Sequence, residues 1–260
     1  FYIKLNKKLI VEIEQIDYKS RKSKENKGSF ESLKQSLELF PNIVKYFETI
    51  YIERLNLKDN EFTIFLDDNS LYLDSKYLNL SSKLDFQGSR VILDMYSLYL
   101  KDIELMLDGK ISVDYFEEKL NYYGEYFYHD LQGDIKLDMD KKLARFYINS
   151  DDFKSLRFIK KYADLSLVAE SWMYDNVKGD IKLDFLYGQI DLEKKRLIER
   201  SLYGKAQVKK AKIKFHKDLE PIITKRVDLD FDNGNLIFDL KEPKYANMDI
   251  NGSTVVIRNL

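Results

Sequence analysis

Histidines, aspartate pairs and one acidic alternation are the groups in this chain whose types and spacing could do chemistry. The histidines are His129 and His216. Both lie in strand-like sequence, and neither belongs to a His-x-x-x-His spacing that would place two imidazoles on one metal ion. Aspartates pair at Asp67-Asp68 and Asp151-Asp152. Two carboxylates can cleave a glycosidic bond when they face each other across a cleft, but both pairs stand where turns or helix starts need aspartate. Asp228, Asp230 and Asp232 alternate, so a strand puts all three on one face; the Asn233-Gly234 that follows supplies no calcium-ligand loop. No Gly-x-Ser-x-Gly elbow and no Walker phosphate loop occurs. With no cysteine in the chain, thiolate nucleophiles, disulfides and Cys-based zinc sites are excluded. The expectation is a protein without catalytic residues, metal or cofactor.

What positions these groups is a strand pattern. The string Gly-Asp-Ile-Lys-Leu-Asp occurs at Gly133–Asp138 and again at Gly179–Asp184, with echoes at Gly109–Asp114 and Gly204–Val208. In each copy a glycine reads as a turn, and apolar and polar residues then alternate, so that a strand presents one greasy and one wet face. The same alternation recurs in Phe62-Ile64-Leu66, Leu78-Leu80, Ile103-Leu105-Leu107, Ile213-Phe215 and Val255-Ile257. Short polar connections at Asp67-Asp68-Asn69, Asp108-Gly109 and Asp140-Lys141-Lys142 predict antiparallel neighbours, and Asn233-Gly234 predicts a tight hairpin.

Helical spacing appears twice. Ser29 can cap a segment in which Phe30, Leu33, Leu37 and Phe40 share a face, and Ile43, Val44 and Phe47 continue it beyond Pro41 to about residue 48. From about Asp152 to Asn176, Leu165, Val168, Ala169, Trp172 and Met173 fall together, with Trp172 read as a packing anchor on the sheet. Lys19–Gly28 contains five Lys/Arg and no apolar residue; it reads as a solvated loop whose cations could touch anionic headgroups. The fold expected is mainly β (α+β): antiparallel strands with two short amphipathic helical segments. A division is expected near residue 150, into 1–150 with the first helical insertion and 151–260 with the second.

The 260 residues suffice to bury a substantial core. The 43 basic and 44 acidic residues cancel to −1, which leaves no net basic field to attract nucleic acid. No stretch approaches the roughly 20 apolar residues of a membrane span. The chain opens at Phe1 already in strand pattern and stops at Leu260 without a tail. We therefore expect a piece of a longer chain, lacking an upstream signal or anchor. The long apolar face is either the core of a closed sandwich or an exposed surface that meets lipid or protein, and periodicity leaves both open.

The segment Phe158–Asp191, a helix and tryptophan followed by a Gly-x-Ile strand, resembles the AsmA-like superfamily, particularly its YhdP branch with the DUF3971 domain. Gly204–Phe215, Val227–Leu240 and Tyr245–Leu260 are similar to successive strands of that branch, and Tyr2–Ile16 to the strands after its inner-membrane helix. The resemblance implies a long, twisted antiparallel β-sheet curled into an apolar groove. It further implies a periplasmic protein anchored to the inner membrane through an N-terminal helix, missing here. Such a protein carries phospholipid toward the outer membrane, with envelope proteins as further partners. Groove-lining candidates on this reading are Ile135, Leu137, Ile181, Leu183, Phe185, Val227, Leu229 and Phe231. The alternative is a structural or adhesive β protein with a closed core and no lipid ligand.

Overall fold

Alternating residues over five to fifteen positions do form strands throughout. The computed structural model describes residues 2–6, 8–18, 44–57, 60–155, 157, 167–216 and 218–258. The protein is mainly β, 70% strand and only 7% helical, in a large mixed sheet that is not closed. With so little helix, sheet faces must supply most of the packing. The chain divides into two compact units, residues 1–129 with 135–142 and residues 130–134 with 143–260, so the boundary falls earlier than the expected residue 150.

The first unit is a run of strands paired with their sequence neighbours: β1 (Tyr2–Asn6), β2 (Lys8–Tyr18), β3 (Phe47–Leu57), β4 (Asn60–Asp67), β5 (Ser70–Ser75), β6 (Leu78–Gln87), β7 (Arg90–Leu100), β8 (Leu105–Asp114) and β9 (Lys119–Tyr128). Each pair is antiparallel except β2–β3, which is parallel with Val11 opposite Ile50 and Ile16 opposite Leu55. A parallel pair cannot be joined by a tight turn, and the long sequence between Tyr18 and Phe47 supplies the length such a connection needs. Its return is marked by Val44, buried against Leu66, Leu84 and Val91. The Lys19–Gly28 loop and the expected helical segment up to Ile43 lie outside the described residues; beyond it the expectation of helix to about residue 48 fails, because the chain turns at Lys45-Tyr46 and Phe47 and Glu48 already pair in β3.

The second unit comprises β11 (Leu143–Ile148), β12 (Asp152–Phe153), β13 (Val177–Asp191), β14 (Arg196–Leu197), β15 (Tyr203–Ile213), β16 (Ile222–Asp232), β17 (Asn235–Lys241), β18 (Lys244–Tyr245), β19 (Met248–Asp249) and β20 (Thr254–Ile257). β13 pairs with β11 and β12 on one side and with β15 on the other, followed by β16, β17 and β20, all antiparallel. β10 (Leu131–Met139) is divided: its first residues belong here, where the Asn149 and Asp151 amides donate to the Asp134 and Gln132 carbonyls at 3.0 and 2.8 Å. The second helical segment does not start at Asp152 as expected, and its stretch over 158–166 lies outside the described residues. Asp152 and Phe153 form a strand, and the helix α1 (Leu167–Ser171) runs into one wide π-type turn over Trp172–Asn176.

The repeated glycines are not turns. Gly109, Gly133, Gly179 and Gly204 each lie inside a strand. A Cβ on Gly109 (φ +109°) would come within 2.3 Å of the Tyr123 carbonyl oxygen, and one on Gly179 (φ +152°) within 2.6 Å of the Lys209 carbonyl oxygen. Gly179 falls at a break in register between β13 and β15. These glycines let neighbouring backbones close in at irregularities of the ladder, a role only a residue without Cβ can fill.

Candidate functional site

Because opposed residues in adjacent strands project to the same side, the register fixes which side chains share a face. In the first unit Ile13, Ile52, Ile64, Leu73, Leu80, Leu98, Leu107 and Tyr126 stand opposite one another, strand by strand, from β2 to β9. All eight are half-buried. The neighbouring rows on the same face close into a core, where Leu66, Leu84 and Val91 are 3%, 2% and 1% exposed beneath Val44 and Tyr115. One apolar face is thus sealed toward one end of its strands and partly open along an eight-strand stripe.

The second unit repeats this division. Val208, Ile213, Val227, Phe238 and Leu240 are buried, and Trp172 covers them, its ring 5.6 Å from Phe215 and 5.3 Å from Phe238. Farther along the strands, Leu186, Gly204, Phe231, Leu236 and Ile257 form one row. The apolar members of that row are half-buried.

The candidate lining residues distribute unevenly over these surfaces. Ile135 and Leu137 are half-buried in the first unit. In the second, Ile181 aligns with Val208 and Val227, Leu183 with Ala206 and Leu229, and Phe231 joins the row described above, so these five candidates share a face. Val227 is fully buried, and Ile181 and Leu229 pack on the same cluster, which makes them core rather than open lining. Phe185 is on the other face. A register shift after Leu183 places it opposite Lys205, and its ring stacks on Tyr147 and lies 5.4 Å from Tyr203. The added residue of a bulge inverts the parity on which the periodicity argument depends.

Sequence reasoning missed the first-unit stripe as a set, although each member sits in a readable alternation. What it lacked was the register that aligns eight strands. It also missed a row on the opposite face, Tyr51, Phe65 and Tyr72, whose rings are 36–41% exposed on adjacent strands.

The groups able to do chemistry are engaged locally. His129 lies in the turn after β9 (φ 52°), 3.2 Å from Glu104, and His216 lies in the loop after β15, 3.5 Å from Asp218; neither is within a strand. Asp67 accepts a hydrogen bond from the Thr49 hydroxyl at 2.9 Å, Asp151 from Gln132 at 2.7 Å, and Asp152 pairs with Lys209 at 2.9 Å. Asp228 and Asp230 pair with Arg226 and Lys205 at 2.9 and 3.1 Å. Among the described residues no group of three His, Asp or Glu side chains could hold a metal ion.

Burial pushes the Tyr122 hydroxyl up to about 12, aided by the Asp108 charge, while the group donates to the Asp108 carbonyl at 2.7 Å. A phenol held neutral and bonded to backbone is structural. Asp114 is shifted the other way, first by the Glu117 amide, with Ser89, Arg90 and the Phe116 amide adding to it against the opposing effect of burial. It too closes a turn. The arrangement offers surfaces of branched aliphatic side chains, suited to holding an apolar chain without directional bonds. No family model, curated protein or solved structure matches the chain, so its likeness to the AsmA-like superfamily rests on the residues quoted above.

Proposed function

We propose that this protein is a non-catalytic lipid-handling module, of the AsmA-like bridge type, that shields phospholipid acyl chains between the inner and outer membranes. The observation that carries the reading is the half-buried, largely aliphatic stripe from Ile13 to Tyr126. Exposing an acyl chain to water costs about 0.8 kcal/mol per CH₂, and an apolar stripe spanning eight strands offsets much of that cost. Weak, non-directional contact at every point is what a moving lipid requires, since a deep or polar pocket would hold it. On this reading the module works in the periplasm, anchored to the inner membrane. Among the described residues no helix is long and apolar enough to cross a membrane.

The test is mass spectrometry of organic extracts from detergent-free protein made in a Gram-negative host. Bound phospholipid at about one molecule or more per chain is expected. Leu98→Asp, in the middle of the stripe, should empty it while the protein stays folded. Leu183→Asp probes the second unit in the same way, whereas Leu229→Asp is expected to unfold it because Leu229 packs on the buried cluster.

The closed-core alternative draws on the cluster under Trp172, which needs no ligand to bury Val227 and Phe238. An empty extract together with no binding of an environment-sensitive apolar dye would favour it.

A further inference from the structure

The polar face of the second unit is graded in charge along its strands. At one end Lys178, Lys212, Ile223 and Lys244 stand opposite one another across β13, β15, β16 and β18. The next row holds Asp180, Lys209, Arg226 and Lys241, and the one beyond it Lys182, Gln207, Asp228 and Asp239. Lysine therefore crowds the end row, and carboxylates enter further along.

The end row is also the least neutralised. Lys209, Arg226 and Lys241 have Asp152, Asp228 and Asp239 within 2.9 Å. Lys178 and Lys212 have no ion-pair partner among the described residues, and Lys244 has only Asp249, 3.9 Å away with both side chains exposed. Set among these lysines, Ile223 is 60% exposed on the face opposite the core. An aliphatic side chain ringed by cations on a polar sheet face has no packing purpose of its own. The pair matches a bilayer surface: lysines meet lipid phosphates while a short apolar side chain reaches the boundary between headgroups and acyl chains.

We propose that this lysine row seats the second unit on a membrane surface rich in anionic phospholipid. The proposal rests on the lipid-handling reading for its occupant. It adds where the module meets the bilayer it exchanges lipid with. Attraction near an anionic surface amounts to about 1 kcal/mol per lysine and fades within a Debye length, so it supports docking that is reversible and sensitive to salt.

The experiment is co-sedimentation with vesicles of phosphatidylcholine alone and of phosphatidylcholine mixed with phosphatidylglycerol. The protein should bind the mixed vesicles, release as salt is raised, and leave neutral vesicles bare. The triple variant Lys178→Gln/Lys212→Gln/Lys244→Gln should lose roughly a hundredfold in affinity with unchanged thermal melting. A charge-matched control, Lys83→Gln/Lys142→Gln/Lys195→Gln, should retain binding, and Ile223→Ser should weaken it at unchanged charge. Equal losses in both triples, no binding by the parent protein, or tighter binding to duplex DNA than to mixed vesicles at the same salt would overturn the proposal. Lipid found in extracts without vesicle docking would overturn this inference alone. Docking by a protein whose extracts are empty would count against the lipid-handling reading and leave the lysine surface standing.

Discussion

At Asp114 one carboxylate organises the turn between β8 and β9. It accepts from the Ser89 hydroxyl at 2.9 Å, Arg90 Nε at 3.2 Å, and the Phe116 and Glu117 amides at 3.1 and 3.0 Å. These donors favour the charged form and hold its pKa below the ordinary 3.8. A carboxylate depressed in the folded state contributes stability that is present above its unfolded value and lost as pH falls through the folded one. Asp114→Asn should therefore lower the melting temperature at pH 7, with the gap to the parent protein closing as both are acidified below the ordinary carboxylate range. A gap independent of pH would mean that the side chain acts by shape alone. Asp114 reads from sequence as one more strand carboxylate, because two of its four donors, Ser89 and Arg90, lie more than twenty residues away and only the pairing of β7 with β8 brings them near. The strand glycines were misread for the same reason: their need is set by the carbonyl of the next strand.

Among the elements, alternation located nearly every strand, and the two-residue turns were legible too. Asn233 and Gly234 both have positive φ (47° and 76°) between Asp232 and Asn235, as do Asp68 and Asn69 (38° and 75°) between Asp67 and Ser70. Bulges were not legible, and Phe185 shows the cost: one inserted residue moved it to the other face. The helix start expected at Asp151 or Asp152 also fails, because Asp152 and Phe153 pair with β13 instead. Trp172, in contrast, is the anchor its uniqueness suggested. Its ring packs against Phe215 and Phe238 on the buried cluster of the sheet. Trp172→Ala should cost about 3–5 kcal/mol in denaturant unfolding. Trp172→Phe should recover much of that, since the loss is packing and not a polar contact. A small effect of the alanine variant would show that the turn over Trp172–Asn176 is held by other means.

For the whole molecule, one feature governs the order in which it can assemble. Nearly every pairing joins strands adjacent in sequence and closes a short loop, so hairpins can form early and add to one another. Two pairs are different: β12–β13 closes the connection between Phe153 and Val177, and β2–β3, alone in being parallel, closes the longer one between Tyr18 and Phe47. Loop-closure entropy must be met there before any contact rewards it, which delays such pairings. The edge formed by β1 and β2 should dock last in refolding. Val11, buried in β2 opposite Ile50, reports on that step, and Leu84, in the β6–β7 hairpin core, on the earlier one. In stopped-flow measurements Val11→Ala should speed unfolding and leave the refolding rate unchanged, whereas Leu84→Ala should slow refolding. The reverse assignment would mean that the crossover nucleates the fold. If the expected order holds, the β1–β2 hairpin forms early but waits through synthesis for β3 and the strands behind it, leaving the free edge of β2 the longest unpartnered.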